Sequence, residues 1–243
     1  MVGMNATTID LPSAVMGFAG VHLALRAEAA GIARLVDAGD DRLARRRAAL
    51  LCRVLTAHHR TEDRLLWPAI EARQPGFAMT TVELEGQHRR VDELMVALPH
   101  DPATIGTFGP VLERHLQDEE QRALPAWLAS FDAADHERFG RLLRRSTPLG
   151  EAGTMISWLL DATPAAVHPA ARAHLPAPFR MAHRFWWRHR YEGRYGRAPV
   201  VAPRNAQKRA ACALDGAGAG SSVQAARFLD PGSAPVPTVR PCE

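Results

Sequence analysis

His58-His59-Arg60-Thr61-Glu62 runs on to Trp67-Pro68, and the pattern returns 57 residues later as His115-Leu116-Gln117-Asp118-Glu119, running on to Leu124-Pro125. Both copies read H-x-x-x-E-x-x-x-x-x-P, and both place a second acid directly after the Glu, Asp63 and Glu120. A helix turns by about 100° and rises about 1.5 Å per residue, so residues i and i+4 share a face. Each copy therefore presents an imidazole nitrogen and a carboxylate oxygen in one direction, which is half of a site for a first-row metal. A single pair at this spacing is a common helix-face contact. Two pairs in the same register to a downstream proline point to a duplicated site.

Outward from these stretches, four long helices are predicted. The first runs over about 13–38, with an apolar stripe of Val15, Phe18, His22, Leu25, Ala29, Ile32 and Val36. Gly39-Asp40-Asp41 closes it and caps the next. The second runs over about 42–73, with stripe Leu51, Val54 or Leu55, His58, Glu62, Leu65 and Ala69; Pro68 is expected to bend it and Pro75-Gly76 to end it. The third covers about 80–98 with Leu84, His88, Val91, Met95 and Leu98. The fourth starts near Ala103 and passes Pro125, with Phe108, Leu112, His115, Glu119 and Arg122 or Ala123. A shorter fifth helix is expected over 133–145 with Asp132 as its N-cap. Short connections make neighbours antiparallel, so the expected fold is all-α: an up-down-up-down four-helix bundle with a short fifth helix and a helical or irregular C-terminal extension.

Each of the four stripes has a His where the pattern asks for an apolar residue: His22, His58, His88 and His115. Two stripes add Glu62 and Glu119 one turn later. A buried carboxylate without a partner costs several kcal/mol. Four imidazoles and two carboxylates aimed at one axis call for a common counter-charge, which a dinuclear metal centre supplies. His59 lies about 100° from the stripe and is read as a rim residue. Asp63 and Glu120 are off the stripe and are read as solvated or as an outer layer. Ferritin-like sites use two Glu-x-x-His motifs; only Glu85–His88 has that frame here, so that reading is rejected.

Composition bounds the rest. The 243 residues are 47% hydrophobic and carry a formal net charge of +4. Residues 1–150 hold 18 Arg against 20 acids, whereas 151–243 hold 12 basic residues against 6 acids, so the basicity belongs to the C-terminal part. Cys52, Cys212 and Cys242 form no CxxC pattern and no disulfide framework. With no signal-like N-terminus and no apolar run of about 20 residues, the expected compartment is the cytoplasm.

The expected organisation is a bundle over 1–147, a basic aromatic helical extension over 148–199, and a disordered Ala/Gly/Pro-rich tail over 200–243. Thr154 to Ala162 reads as one or two amphipathic turns. Over 180–197 the chain is dense in Arg and aromatics, with no clean 3.6-residue stripe. The favoured reading packs Phe185, Trp186 and Trp187 on the bundle and leaves Arg exposed. The others are docking on an anionic membrane surface or contact with another subunit. Nucleic acid is not an expected partner.

Together the segments VHLALR (21–26), HHRTEDRLLWPAIEAR (58–73), EGQHRRVDEL (85–94) and HLQDEEQRALPAW (115–127) resemble the hemerythrin-like, or HHE cation-binding, family. The resemblance covers about residues 13–145. It implies a four-helix bundle holding two non-haem irons, bridged by carboxylates and by an oxo or hydroxo group. By position it implies His22, His58, His88 and His115 as terminal ligands and Glu62 and Glu119 as bridges, with His59, Glu85 and Asp92 as an outer layer. Zinc suits six ligands on four helices less well. Oxygen-carrying members supply a second His on helix 3; here the neighbours one turn from His88 are Leu84 and Asp92. One iron then keeps an open position, or a carboxylate such as Glu85 or Asp92 closes it. The implied ligands are O2, NO or peroxide. The implied role is binding or sensing without a dedicated catalytic residue, with peroxide or NO detoxification and a structural adaptor as alternatives.

Overall fold

The computed structural model describes residues 13–163, His168, Arg172 and 175–197. All regular structure among them is helical: α1 (Ser13–Asp37), α2 (Asp41–Thr61), a π-helical turn (Glu62–Leu66), α3 (Trp67–Glu71), α4 (Ala78–Met95), α5 (Ile105–Ser130), α6 (Ala133–Ser146), α7 (Leu149–Ala162), α8 (Ala177–Ala182), a second π turn (His183–Trp187) and α9 (Arg188–Tyr195). Short 3₁₀ turns at Pro75–Phe77 and Pro102–Thr104 lead into α4 and α5. None of these helices is long and apolar enough to cross a membrane.

Helices α1, α2, α4 and α5 close a ring, each packing on the next and α5 on α1. The expected ends hold. Gly39 adopts φ +73°, and the amides of Gly39 and Asp40 return to Val36 and Leu35 as a Schellman closure. Asp40 then caps α2, its carboxylate accepting from the Leu43 amide at 3.1 Å. Asp132 caps α6 in the same way, accepting from Asp135 N–H at 2.8 Å.

The bundle interior is layered. Leu25, Ile32, Leu51, Leu55, Val91, Met95, Phe108 and Leu112 belong to one apolar cluster. Val15, Phe18, Leu66, Trp67, Ile70, Leu84, Ala123 and Trp127 belong to another. On every helix of the ring the His, or His and Glu, falls between these two clusters: His22 after Phe18 and before Leu25, His88 after Leu84 and before Val91. A polar layer is thus sealed above and below by apolar side chains, which excludes bulk water.

Helix 2 departs from the expected stripe. Up to Glu62 the predicted positions are buried, with Arg47 and His59 buried in addition, but beyond it Leu66, Trp67 and Ile70 are buried instead of Leu65 and Ala69. The cause is the π turn, in which Trp67 N–H reaches back five residues to the Glu62 carbonyl. One extra residue per turn advances the register by one. Pro68 has no N–H to give Arg64 and its ring would strike that carbonyl, so the widened turn sits where the proline makes it cheapest. The chain passes Pro68 through this wider turn, where a bend was expected.

The extension is better ordered than its sequence suggested. α7 is a 14-residue helix, and Trp158, Ala162, Tyr191 and Tyr195 join the bundle's own apolar cluster. Phe179, His183, Trp187, Tyr191 and Tyr195 recur every four residues, a spacing that drifts on a 3.6-residue helix. A second π turn, closed by Arg188 N–H to the His183 carbonyl, resets the phase. The stripe is therefore real, but it inverts part of the sequence reading. Trp187 packs on Gly153, whose absent Cβ would stand 2.9 Å from the indole, whereas Phe185 and Trp186 face out. The junction is fixed by Arg47, buried on α2. Its Nε donates to Glu28 at 2.7 Å, and its Nη1 donates to Asp161 at 2.7 Å and to the Tyr191 hydroxyl at 2.8 Å. Trp158 Nε1–H donates to Glu28 at 3.2 Å. The tail expected over 200–243 lies outside the described residues.

Candidate metal centre

The π turn begins at Glu62, so the wider turn that accommodates Pro68 also sets that carboxylate. α2 carries His58, His59 and Glu62 into the polar layer; α1 brings His22, α4 His88, and α5 His115 and Glu119. All seven side chains are buried. They fall into two groups: His22, His58, Glu62 and Glu119, and His59, His88 and His115. Within each group one donor atom per residue lies within 4.8 Å of the others.

Both carboxylates face both groups, one oxygen each way. Glu119 Oε2 is 3.3 Å from His22 Nε2, while its Oε1 is 3.1 Å from His88 Nε2 and 3.5 Å from His115 Nε2. Glu62 Oε1 is 3.2 Å from His58 Nε2, and its Oε2 is 3.6 Å from His88 Nε2. His22 Nε2 and His58 Nε2 are 3.1 Å apart. Donors separated by about 3 Å mark the edges of a coordination polyhedron with bonds of about 2.1 Å. Two carboxylates shared in this way join the two groups of donors.

An outer layer of acceptors orients the rings. Nδ1–H donates to Glu120 from His22 at 3.0 Å, to Asp63 from His88 at 2.7 Å, to Asp92 from His59 at 3.0 Å and to the Gln87 side-chain oxygen from His115 at 3.3 Å. With Nδ1 carrying the proton, each Nε2 lone pair is turned inward, the arrangement that metal-ligating histidines use. Glu120 is itself held by Arg26 Nη1 at 2.6 Å, and Arg26 Nε also donates to Glu113 at 2.9 Å. Gln87 is held by a 2.8 Å bond from its amide nitrogen to Asp118.

Several of the inner atoms lack such partners. Nε2 of His59 and of His115, both oxygens of Glu62 and Oε2 of Glu119 are buried with no hydrogen bond. Buried polar atoms are normally paired, and these converge on one place, so the donor set fits metal cations. The electrostatics agree. Burial holds the His58 and His59 imidazoles below their usual pKa and His115 down at about 4. At His88 burial also favours the neutral ring, but Asp63 and Glu119 together push it up to about 9. Burial, with Glu119 beside it, drives the Glu62 carboxyl well above its ordinary value. Glu119 resists burial through His22 and His88 and stays well below its own. One carboxylate is thus charged and the other is not, until a cation lets both ionise.

The six expected ligands come together as read from the sequence. His59 does not stay on the rim: it is 2% exposed and stacks on His88 with ring centroids 4.0 Å apart. Two cation positions side by side span more angle than one residue subtends, so neighbouring residues of α2 both face inward, one to each group. His59 supplies a third imidazole to the group of His88 and His115. Asp92 takes the outer role expected of it, through His59. Glu85 joins none of the histidines. Asp63 and Glu120 are outer-layer acceptors, so the solvated reading of them is not followed. Gln87 went unnoticed, because a neutral amide beside His88 carries no pattern of its own.

Residues 17–127 match the family model of the hemerythrin HHE cation binding domain. No curated protein and no solved structure matches the chain.

Proposed function

Residues 17–127 are a hemerythrin HHE cation-binding domain, and from that premise we propose that its buried layer holds two non-haem irons that bind dioxygen or a related small ligand. The observation that carries this reading is the convergence of five Nε2 atoms and two carboxylates in one buried layer, two of those nitrogens and three of the carboxylate oxygens without a hydrogen bond, with each carboxylate shared between two groups. His22 and His58 would hold one iron, His59, His88 and His115 the other, and Glu62 and Glu119 would bridge them.

Counting one oxygen from each bridge, the first group offers four protein donors and the second five. The second set exceeds the four ligands of structural zinc and neither set holds the thiolates that such sites use, whereas both leave room in six-coordinate iron. Bound there, the iron pair supplies the open position and the electrons with which O2, NO or peroxide combines. The chain's own part is to keep that position beside His22 and His58, to exclude water with the flanking apolar clusters, and to fix each ring through Glu120, Asp63, Asp92 and Gln87. Among the described residues no side chain beside the donor layer is placed as an acid or a nucleophile, which favours binding or sensing over turnover. The test is to reduce the iron-loaded protein without air, admit O2, then remove it. Reversible visible spectral change over several cycles supports the reading. Sustained consumption of peroxide or NO would instead make the protein an oxidoreductase, and no spectral response would refute it.

Proton release should accompany loading. His88 keeps its proton up to about pH 9 in the metal-free site, and the Glu62 carboxyl is held protonated by burial and by Glu119. A cation must displace both, so affinity rises as pH rises toward 9 and falls below it, roughly tenfold per pH unit for each proton displaced. Calorimetric zinc titration at pH 7 in two buffers of different ionisation heat counts those protons. About two are expected from His88 and Glu62, and more where His22, whose proton burial opposes but Glu119 and Glu120 hold, also gives one up; none would contradict the electrostatic account.

A further inference from the structure

The helical run 177–195 has two unlike faces. One faces the bundle: His183, Tyr191 and Tyr195 are buried, and Trp187 lies on Gly153 with Phe179 against it at 5.5 Å between ring centroids. The other leaves Met181 56%, Phe185 55% and Trp186 74% exposed. Leu149, 68% exposed, stands one turn before Gly153 on the same side of α7, so it extends this apolar face toward the seat of Trp187. Around the apolar side chains stand Arg180, Arg184, Arg188 and Arg190, all exposed. Among the described residues none of the four is paired with a carboxylate. Over 177–197 the sequence has six Arg against Glu192 alone, and Glu192 is taken by Arg197 at 3.2 Å.

We propose that this face docks the protein on an anionic lipid bilayer, with Met181, Phe185 and Trp186 entering the headgroup region and Arg180, Arg184, Arg188 and Arg190 meeting lipid phosphates. Large apolar side chains standing in water beside unpaired cations are the two components of interfacial binding, and each alone is weak. Trp in particular favours the boundary between headgroups and acyl chains, and each Arg near an anionic leaflet adds attraction of its own. The segment is already folded. The Arg47–Tyr191–Asp161 bonds and the Gly153 seat hold its inner face, so binding incurs little ordering entropy. The arginines project from a convex helix with the aromatics between them.

The full chain should float with vesicles containing about 30% phosphatidylglycerol and remain behind with pure phosphatidylcholine, with binding weakened by high salt. The surface variant Arg184→Gln/Arg188→Gln should bind about thirtyfold more weakly. Phe185→Ser/Trp186→Ser should lose vesicle binding while keeping the helical circular dichroism of the parent. Failure of the parent to bind anionic vesicles would overturn the proposal. So would unchanged binding by both variants, which would move the contact elsewhere on the chain. If sedimentation instead shows self-association that Phe185→Ser/Trp186→Ser abolishes, with no vesicle binding, the face belongs to a second copy. Salt-sensitive binding of a single-stranded oligonucleotide without vesicle binding would assign it to nucleic acid.

Discussion

Glu119→Ala is expected to empty both halves of the site at once. Its carboxylate is the one group that touches histidines of both clusters at 3.5 Å or less, with Oε2 toward His22 and Oε1 toward His88 and His115. It is also the carboxylate that stays ionised before any cation arrives. Without it, Glu62 is the one acid left among the inner donors, and burial favours its neutral form. Five imidazoles would then face two dications with little negative charge to offset them. Loss of an outer partner such as Asp63 or Asp92 costs roughly 10–100-fold in metal affinity, and loss of the shared inner ligand should exceed that. After anaerobic loading and desalting, the variant should retain less than about a tenth of the parent's metal. One metal retained per chain would mean that the two clusters bind independently and that Glu119 is not shared.

Arg47→Met should be the most destabilising single change outside the metal layer. Arg47 and Glu28 are both buried, and the guanidinium also holds Asp161 and Tyr191. Removing the cation leaves Glu28, whose carboxyl burial already pushes up, with only the Trp158 N–H. Breaking a buried pair from one side typically costs about 3–5 kcal/mol, a fall in Tm of roughly 10 °C for a chain of this size. The extension should loosen first, because Tyr191 and Asp161 lose their common partner. Glu28→Gln/Arg47→Met should recover much of the loss, since removing both charges also removes their desolvation cost. A shift of under about 1 kcal/mol in Arg47→Met would show that the network adds no net stability.

Much of this was legible in the sequence where the physics is periodic. The stripes of α1, α4 and α5 carry their buried residues in the predicted register; the duplicated H-x-x-x-E placed four of the inner donors without any structure, and the stripes added His22 and His88. Three things escaped. The π turns change the period itself, and their only traces are Pro68 and the four-residue recurrence from Phe179 to Tyr195. His59 was misplaced because helix phase was measured against a single axis, while the layer has two centres. Arg47 sits in Arg45-Arg46-Arg47, and nothing in that run marks the arginine that turns inward, since its partners Glu28, Asp161 and Tyr191 are remote in sequence. The set of inward-facing donors was therefore nearly complete from sequence, but its division into two groups required the fold.

That division is the central claim, and metal stoichiometry tests it most directly. The parent protein and His59→Ala should be loaded with ferrous iron under anaerobic conditions, freed of excess, and measured for iron per folded chain. The account predicts about two in the parent, one per cluster. It predicts about one in His59→Ala, because the cluster of His59, His88 and His115 loses a donor while His22 and His58 are untouched. One iron in the parent, or two retained by His59→Ala, would contradict it.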